Sequence, residues 1–388
     1  MNVLITSSRM PFALAEIRHF GEQGHRVFAT DTFETAPGSH SVAVTQHIRT
    51  ASPRLETALF IKDLKRIVNE KRIDLVLPQF EEMFYIARHR DEFDDLTEIF
   101  IPPLETLVRF HDKAKFVILS NELSIPTPES TIAASEEELK AAINKYEQFF
   151  ARAVYSRGGV TLFTNMGVLA GRVRLDECCP TKENPWIVQE FLDGIDLCSF
   201  SVVHHGKVSV HCTYQHPKTI EHAGGIQFIS VDEPGTLDIV ERFVDATGYN
   251  GQISFDYIKC DGILYMVECN PRPTEGVALM PSEMFVQGVL EETAETRVLQ
   301  ANRCAQIDVA IIRDMIHNWK AIPSDIRALI NIPDVYLSKH DMLPAIYQFL
   351  SYSHIQAYRR FMHTFKHKRT DILAAQFYDI CWNGEQIQ

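Results

Sequence analysis

The sequence predicts a mixed α/β and α+β fold that ends in a helical region. Apolar strand and helix patterns alternate through about residue 110, which is typical of a parallel sheet with helices on both faces. Further along, two apolar runs flank Asp261-Gly262, a pair that favours a tight antiparallel hairpin. From about Leu290, apolar residues recur at helical spacing between prolines. A chain of 388 residues suits two or three packed units.

The N-terminal region alternates short apolar strands with helices. The expected strands are 3–6, 26–29 and 73–77, and the expected helices are 13–20 and 55–69. The turn after the first strand reads Ser7-Ser8-Arg9 and lacks the Gly-x-Gly-x-x-Gly pattern. A dinucleotide fingerprint is therefore missing.

Composition excludes several classes of function. The net charge of −13 argues against nucleic acid as a general partner, because binding to a duplex needs a basic surface. No apolar run approaches the roughly 18 residues of a membrane span, and the first residues do not resemble a signal peptide. We therefore expect no transmembrane segment and a cytoplasmic location. The eight cysteines include no C-x-x-C pair, which favours reduced structural thiols.

The strongest chemical signal lies in the hairpin around Asp261-Gly262. Folding its strands together places Asp256 beside Glu268, and Asn270 follows on the same face by strand alternation. Three hard oxygen donors at one sheet edge suit a magnesium ion that also binds phosphates. Arg272, between two prolines, is a candidate anion ligand. For the acid pair alone, a surface hairpin with solvated carboxylates is the simpler alternative.

The string Glu-x-Asn-Pro-Arg after a hairpin that carries Asp resembles the ATP-grasp superfamily of carboxylate ligases. Within it, the chain is most similar to the branch of the carbamoyl-phosphate synthase large chain and biotin carboxylase. The resemblance implies that Asp256, Glu268 and Asn270 hold Mg²⁺ or Mn²⁺, and that catalytic Arg272 reaches the transferring phosphate or the substrate. It covers roughly residues 1–290.

The same resemblance implies four regions. A Rossmann-like pre-ATP-grasp domain occupies 1–110, two α+β lobes that clasp ATP occupy 111–185 and 186–290, and a C-terminal helical region occupies 291–388. The second lobe carries the metal and ATP site.

The resemblance also implies a cleft at the strand ends of the first domain. Ligands of open α/β sheets gather beyond the carboxyl ends of the strands. The expected lining residues are Ser7, Ser8, Arg9, Asp31, Gln79, Phe80, Glu81 and Glu82. Glu81 and Glu82 suit the N-terminus of the following helix equally well.

Two segments resemble the phosphate-binding parts of the family. Lys113 opens a helix directly after Asp112, and the family's lysine at this place contacts the ATP phosphates. Arg152 stands where the family has lysine, which keeps the positive charge but changes its geometry. Gly158 and Gly159 then form a short glycine turn whose backbone N–H groups can hold phosphate.

The segment after Trp186 resembles the hinge between the two ATP-clasping lobes. By resemblance, adenine is read by the hinge residues Gln189, Glu190, Phe191 and Leu192. Asp196, in Gly-x-Asp, stands where an acid holds the ribose hydroxyls. An edge strand with a β-turn explains the turn residues equally well.

The loop that follows is rich in titratable residues. In relatives with biotin-carboxylase-like loops a basic residue here contacts the carboxylate or bicarbonate, which makes Lys218 a catalytic candidate and His216 a second one. Loops of this kind vary most between relatives.

The C-terminal region is predicted to contain five helices, at 309–319, 324–331, 342–349, 355–365 and 371–382. Within it, residues 358–369 hold five fixed positive charges and no acid. They form either a solvated helix face or a docking surface for an acidic partner, a carrier protein or an anionic membrane.

Together these observations predict an ATP-dependent carboxylate–amine ligase that works through an acyl phosphate and releases ADP and phosphate. The expected ligands are ATP, Mg²⁺ or Mn²⁺, and a small-molecule carboxylate and amine. The expected assembly includes a homodimer. The alternatives are a ligase that uses a thiol, ammonia or bicarbonate, and a catalytically retired ATP-binding protein.

Overall fold

The strands of the protein form three sheets, each in its own stretch of the chain. The computed structural model describes residues 1–157, 162–220, 224–293, 295–366 and 375–387. Within these ranges the sheets contain five, four and seven strands.

The first sheet is parallel, as the alternating pattern predicted. Its strands are β1 (Asn2–Ile5), β2 (Arg26–Asp31), β3 (Val44–Arg49), β4 (Leu75–Leu77) and β5 (Glu98–Ile99), in the order β3-β2-β1-β4-β5. The helices of this region are α1 (Pro11–Glu22), α2 (Thr57–Lys71), α3 (Glu82–Arg88) and α4 (Leu104–His111). The sequence did not predict β3 and β5, since β3 is half exposed and polar and β5 has two residues.

The second sheet is antiparallel and lies in the lobe expected to cover ATP. Its strands are β6 (Ser130–Ala133), β7 (Phe149–Ala153), β8 (Leu162–Thr164) and β9 (Trp186–Glu190), in the order β6-β9-β7-β8. Its helices are α5 (Lys113–Glu122) and α6 (Glu136–Ile143). The predicted boundary after residue 185 is displaced, because β9 pairs with β6 and β7 and the chain leaves this sheet only after Glu190.

The third sheet carries the predicted hairpin. Its strands are β10 (Ile195–His204), β11 (Lys207–Ile220), β12 (Gly224–Val231), β13 (Gly251–Cys260), β14 (Ile263–Asn270), β15 (Arg297–Val298) and β16 (Cys304–Gln306), and its helices are α7 (Pro234–Thr247) and α8 (Ser282–Leu290). Asp261 and Gly262 turn the β13–β14 hairpin with φ of 49° and 81°, as an Asp-Gly turn requires.

The region after residue 290 is less purely helical than predicted. It first adds β15 and β16 to the third sheet, and then forms α9 (Asp308–His317), α10 (Ile322–Asn331) and α11 (Leu343–Lys366). The predicted helices 342–349 and 355–365 are one helix, since the residues between them, 350–354, contain neither Gly nor Pro. Residues 367–369 of the predicted basic surface lie outside the described residues, so a docking role for 358–369 stays a prediction. No helix in the described ranges is long and apolar enough to cross a membrane.

Residues 375–387, which we call the capping segment, lie across the first sheet. Residues 377–387 are turn and coil, so the helix predicted to 382 is wrong there. The reason is that their backbone groups bind other elements: Tyr85 Oη donates to the Cys381 carbonyl at 3.0 Å and Ser52 Oγ to the Asp379 carbonyl at 2.7 Å.

The strand-end residues of the first sheet are buried rather than exposed to a cleft, which corrects the expectation for Ser7, Ser8, Arg9, Asp31 and Gln79. The Arg9 guanidinium is bound by Asp31 at 2.6 Å and by Asp379 of the capping segment at 2.7 Å. These ion pairs hold the capping segment in place. Because two carboxylates already bind the Arg9 guanidinium, it has no free charge for an anionic ligand.

Candidate functional site

The two acids of the β13–β14 hairpin face each other. Asp256 is paired with Glu268 and Ser254 with Asn270, so the three predicted metal ligands share one face of the sheet. Asn270 Nδ2 lies 3.3 Å from Asp256 Oδ2. The predicted juxtaposition of these three side chains is confirmed.

The acids differ in their electrostatic surroundings. Burial and the neighbouring Glu268 raise the pKa of Asp256. Burial also opposes ionisation of Glu268, but Lys113 and Arg152 outweigh it and lower the pKa of that carboxyl. Two close carboxylates, one poorly compensated, favour binding of a cation between them.

Two cations converge on Glu268 from the four-stranded lobe. Lys113 Nζ lies 3.3 Å from Glu268 Oε1, and Arg152 Nη1 lies 2.5 Å from Glu268 Oε2. Asp112 caps α5 by accepting from the N–H groups of Ala114 and Lys115, which fixes Lys113 at the first helical position. Burial lowers the pKa of Lys113 to about 8, although Glu268 opposes this shift.

Arg272 extends the site towards the first domain. Its Nη2 donates to Asn270 Oδ1 at 3.0 Å, and its guanidinium lies 4.5 Å from the ring centroid of Phe80. The ring of Phe80 stacks on Phe377 of the capping segment at 4.6 Å. The predicted anion ligand therefore lies where the hairpin, the first domain and the capping segment meet.

The comparisons with known proteins agree with this geometry. A model of the ATP-grasp domain family matches residues 111–276. These residues are an ATP-grasp domain. The matched range contains Lys113, Arg152 and the whole β13–β14 hairpin.

The curated relatives are distant and much longer. The carbamoyl phosphate synthase large chain of Helicobacter pylori is 25% identical over 253 residues, which is 61% of this chain and 23% of that protein. The chain thus spans about a quarter of the length of the curated relatives it matches.

Among solved structures, phosphoribosylamine–glycine ligase of Thermotoga maritima has a TM-score of 0.59 at 18% identity, with 78% of each chain covered. Biotin carboxylase of Campylobacter jejuni, solved with an ATP analogue, has a TM-score of 0.59 at 14% identity and covers 76% of this chain and 72% of its own. Both neighbours are enzymes.

In the predicted hinge, Gln189 to Leu192, one backbone donor has no partner among the described residues. The N–H groups of Glu190 and Phe191 donate to the carbonyls of Glu129 and Gln148, whereas the Leu192 N–H has no partner among the described residues. The Gln189 side chain is buried and donates to Ser130 Oγ at 3.1 Å. Gln189 therefore has a structural contact, and Leu192 is the hinge donor that remains available.

Asp196 lies on the same sheet face as Asp256 and Glu268. It is paired with Ile258, two residues along β13 from Asp256, and it is exposed. A side chain at Gly194 would place its Cβ 2.5 Å from the Lys259 carbonyl, so the Gly-x-Asp pattern needs glycine for this close approach. Gly158 and Gly159 lie outside the described residues.

Lys218 is held away from this cluster. Its ammonium lies 2.8 Å from Asp314 of α9 and 2.6 Å from Asp325 of α10. His216 is closer: its Nδ1 lies 4.0 Å from the Cys198 thiol, which in turn donates to Asp256 Oδ1 at 3.1 Å.

Sequence reasoning missed the roles of two residues around the site. The Cys198 thiol contacts the Asp256 carboxyl, and nothing in its local sequence indicates this. Glu81 was assigned either to the cleft or to a helix N-terminus. Glu82 lies in the first turn of α3, but its carboxylate accepts from the N–H groups of Gln79 and Phe80, which precede the helix. Glu81 binds Arg157 at 2.7 Å. Only the fold brings these residues together.

Proposed function

We propose that this chain is an ATP-dependent carboxylate–amine ligase. It joins a small organic acid to an amine through an acyl phosphate and releases ADP and phosphate. The observation that carries the proposal is the single face shared by Asp256, Glu268 and Asn270, with Arg272 at one side and Lys113 and Arg152 at the other. That set supplies oxygen donors for a metal and cations for phosphates.

The donor set fits magnesium better than zinc or another soft metal. It combines two carboxylates with one amide oxygen, and no group of three His, Cys, Asp or Glu side chains in the described residues is placed to hold a metal. Asp256, Glu268 and Asn270 would hold the ion, which when bound neutralises charge on the phosphates.

The remaining residues have distinct roles in the proposal. Lys113 and Arg152, now paired with Glu268, bind the ATP phosphates and stabilise the charge that develops during transfer. Arg272 orients the substrate carboxylate or the transferring phosphoryl group. Its guanidinium lies over Phe80 and already donates to Asn270 Oδ1 and the Pro273 carbonyl, so an anion would be bound by its remaining N–H groups.

In the hinge, Glu190 to Leu192 provide backbone groups for adenine, and Asp196 accepts from the ribose hydroxyls. Gly158 and Gly159, which lie outside the described residues, remain predicted phosphate ligands. Lys218 remains a predicted substrate contact, although an ammonium held by two carboxylates must break ion pairs to reach an anion.

The test is ADP release with MgATP and pools of organic acids and amino acids. We expect release that depends on both an acid and an amine, and a loss of about 100-fold or more in Glu268→Gln. Glu283→Gln on α8, which alters an exposed acid, is the matched control. Nucleotide binding without ADP release in any pool would contradict the ligase and favour a retired binding protein. Activity with a thiol, ammonia or bicarbonate alone would correct the nucleophile or the acid.

A further inference from the structure

The capping segment is tied to the ATP-grasp domain by one buried carboxylate. Glu81 has no exposed surface. Its Oε1 accepts from Arg157 Nε at 2.7 Å, and its Oε2 accepts from the Trp382 backbone N–H at 2.7 Å. The Glu81 side chain of the first domain therefore binds both the ATP-grasp domain and the capping segment.

Arg157 completes this junction. Its Nη2 donates to the Trp382 carbonyl and to Asn383 Oδ1, both at 2.8 Å. The guanidinium thus makes three hydrogen bonds to two parts of the fold that are distant in sequence. Charge-assisted bonds in a buried setting fix the position of both partners.

Lys113, the predicted phosphate ligand, holds the chain directly before Arg157. Lys113 Nζ donates to the Ser156 carbonyl at 2.7 Å and to the Val154 carbonyl at 3.3 Å, and it pairs with Glu268. Continuous contacts therefore run from the metal carboxylate through Lys113 and residues 156–157 to Glu81 and Trp382.

If this junction moves, the surroundings of the Trp382 ring change. Its ring stacks on Phe84 at 4.5 Å and meets Tyr155 edge-on at 5.4 Å. Tyr155 in turn donates to Asp112, the cap of the helix that carries Lys113. The indole therefore contacts both the first domain and the ATP-grasp domain.

We propose that Glu81 and the capping segment are positioning elements of the nucleotide site. They hold Arg157 and the adjoining Ser156, whose carbonyl accepts from Lys113. The inference rests on the proposed function, because it requires a nucleotide at this site. Glu81 does not touch the nucleotide and acts through Arg157.

The experiment measures MgADP affinity by calorimetry and Trp382 emission in a Trp186→Phe/Trp319→Phe background, which leaves one of the three tryptophans. In that background MgADP is expected to change the emission of Trp382. Glu81→Gln removes the charge that holds Arg157, and Asn383→Ala removes one acceptor without a buried charge. We expect Kd for MgADP to rise about tenfold in the first, equal to about 1.4 kcal/mol, and about threefold in the second.

Arg54→Ala is the matched control. Arg54 also anchors the capping segment, through the Tyr378 carbonyl at 3.3 Å and Glu385 at 3.4 Å, but among the described residues it makes no hydrogen bond or ion pair with the ATP-grasp domain. We expect its Kd for MgADP to stay within about twofold of wild type. A role limited to stability would lower the melting temperature in all three variants and leave MgADP affinity and the emission change intact, which would overturn the proposal.

The outcomes separate this inference from the proposed function. If the wild type does not bind MgADP, both fail. If it binds MgADP and Glu81→Gln and Asn383→Ala bind it equally well, the positioning role fails and the ligase proposal stands. If Glu81→Gln does not fold, an unchanged affinity in Asn383→Ala is sufficient to reject the positioning role.

Discussion

The Asp256–Glu268 pair predicts a variant that gains stability as it loses function. Two unit charges on facing cross-strand residues, about 5 Å apart, repel by about 3 kcal/mol at an effective dielectric constant of about 20. Asp256→Asn removes this repulsion and keeps the shape of the side chain. Asparagine has one acceptor oxygen, so either the Cys198 thiol or the Asn270 amide loses its acceptor, at a cost of about 1 kcal/mol.

The net expectation is a gain in the free energy of unfolding of about 1–2 kcal/mol in the absence of metal, since Arg152 already compensates part of the charge on Glu268. The pKa of Asp256 is raised, so its cost to stability grows as pH rises from the ordinary aspartate pKa and is complete above the raised pKa. The gain should therefore be full at mildly alkaline pH and shrink towards acidic pH.

The assay is thermal unfolding with and without MgADP. A ligand at 100 times its Kd stabilises the native state by about 2.7 kcal/mol, so wild type should melt higher with MgADP and Asp256→Asn should not. Asp261→Asn, on the exposed turn of the same hairpin, should change neither value. A destabilised Asp256→Asn variant, or one that MgADP still stabilises fully, would refute the electrostatic reasoning.

Three further variants test separate parts of the molecule. Arg152→Met should weaken MgADP binding about tenfold, measured by calorimetry. Arg152→Lys keeps the charge and should bind MgADP within a few-fold of wild type. Wild-type affinity in Arg152→Met would exclude a phosphate role for Arg152. Burial raises the pKa of Glu16 from 4.5 to about 8, so stability should fall as pH rises between these two values, by at most about 1.4 kcal/mol per pH unit. Glu16→Gln should flatten that decline in urea unfolding. Lys218→Met should expose residues 308–331 to limited proteolysis, because it removes the ammonium that binds Asp314 and Asp325. Substrate-dependent ADP release measured on the same variant decides its second role: loss of release supports the predicted substrate contact, and release within about threefold of wild type rejects it.

Local chemistry explains which parts of the fold the sequence predicted. Asp261-Gly262 specifies a turn with two positive φ values, and strand alternation then fixes the side of the sheet on which Asp256, Glu268 and Asn270 lie. Both rules act over a few residues, so the juxtaposition of these three side chains could be predicted from the sequence alone.

The contacts that sequence reasoning missed join residues far apart in the chain. Arg9 meets Asp379, and Glu81 meets Trp382, across roughly 300 residues or more. Polar residues at strand ends look the same whether they face a ligand or a distant segment. For this reason Arg9 and Asp31 were assigned to a cleft that the capping segment fills.

The central claim is that the β13–β14 hairpin binds a divalent cation together with a nucleotide. The most direct measurement is an electron paramagnetic resonance titration of Mn²⁺ in the presence of ADP, for wild type, Asp256→Asn and Glu268→Gln. Wild type should remove one equivalent of free Mn²⁺ per chain, and each variant should weaken that binding by about tenfold or more. Equal Mn²⁺ binding by all three proteins would contradict the claim.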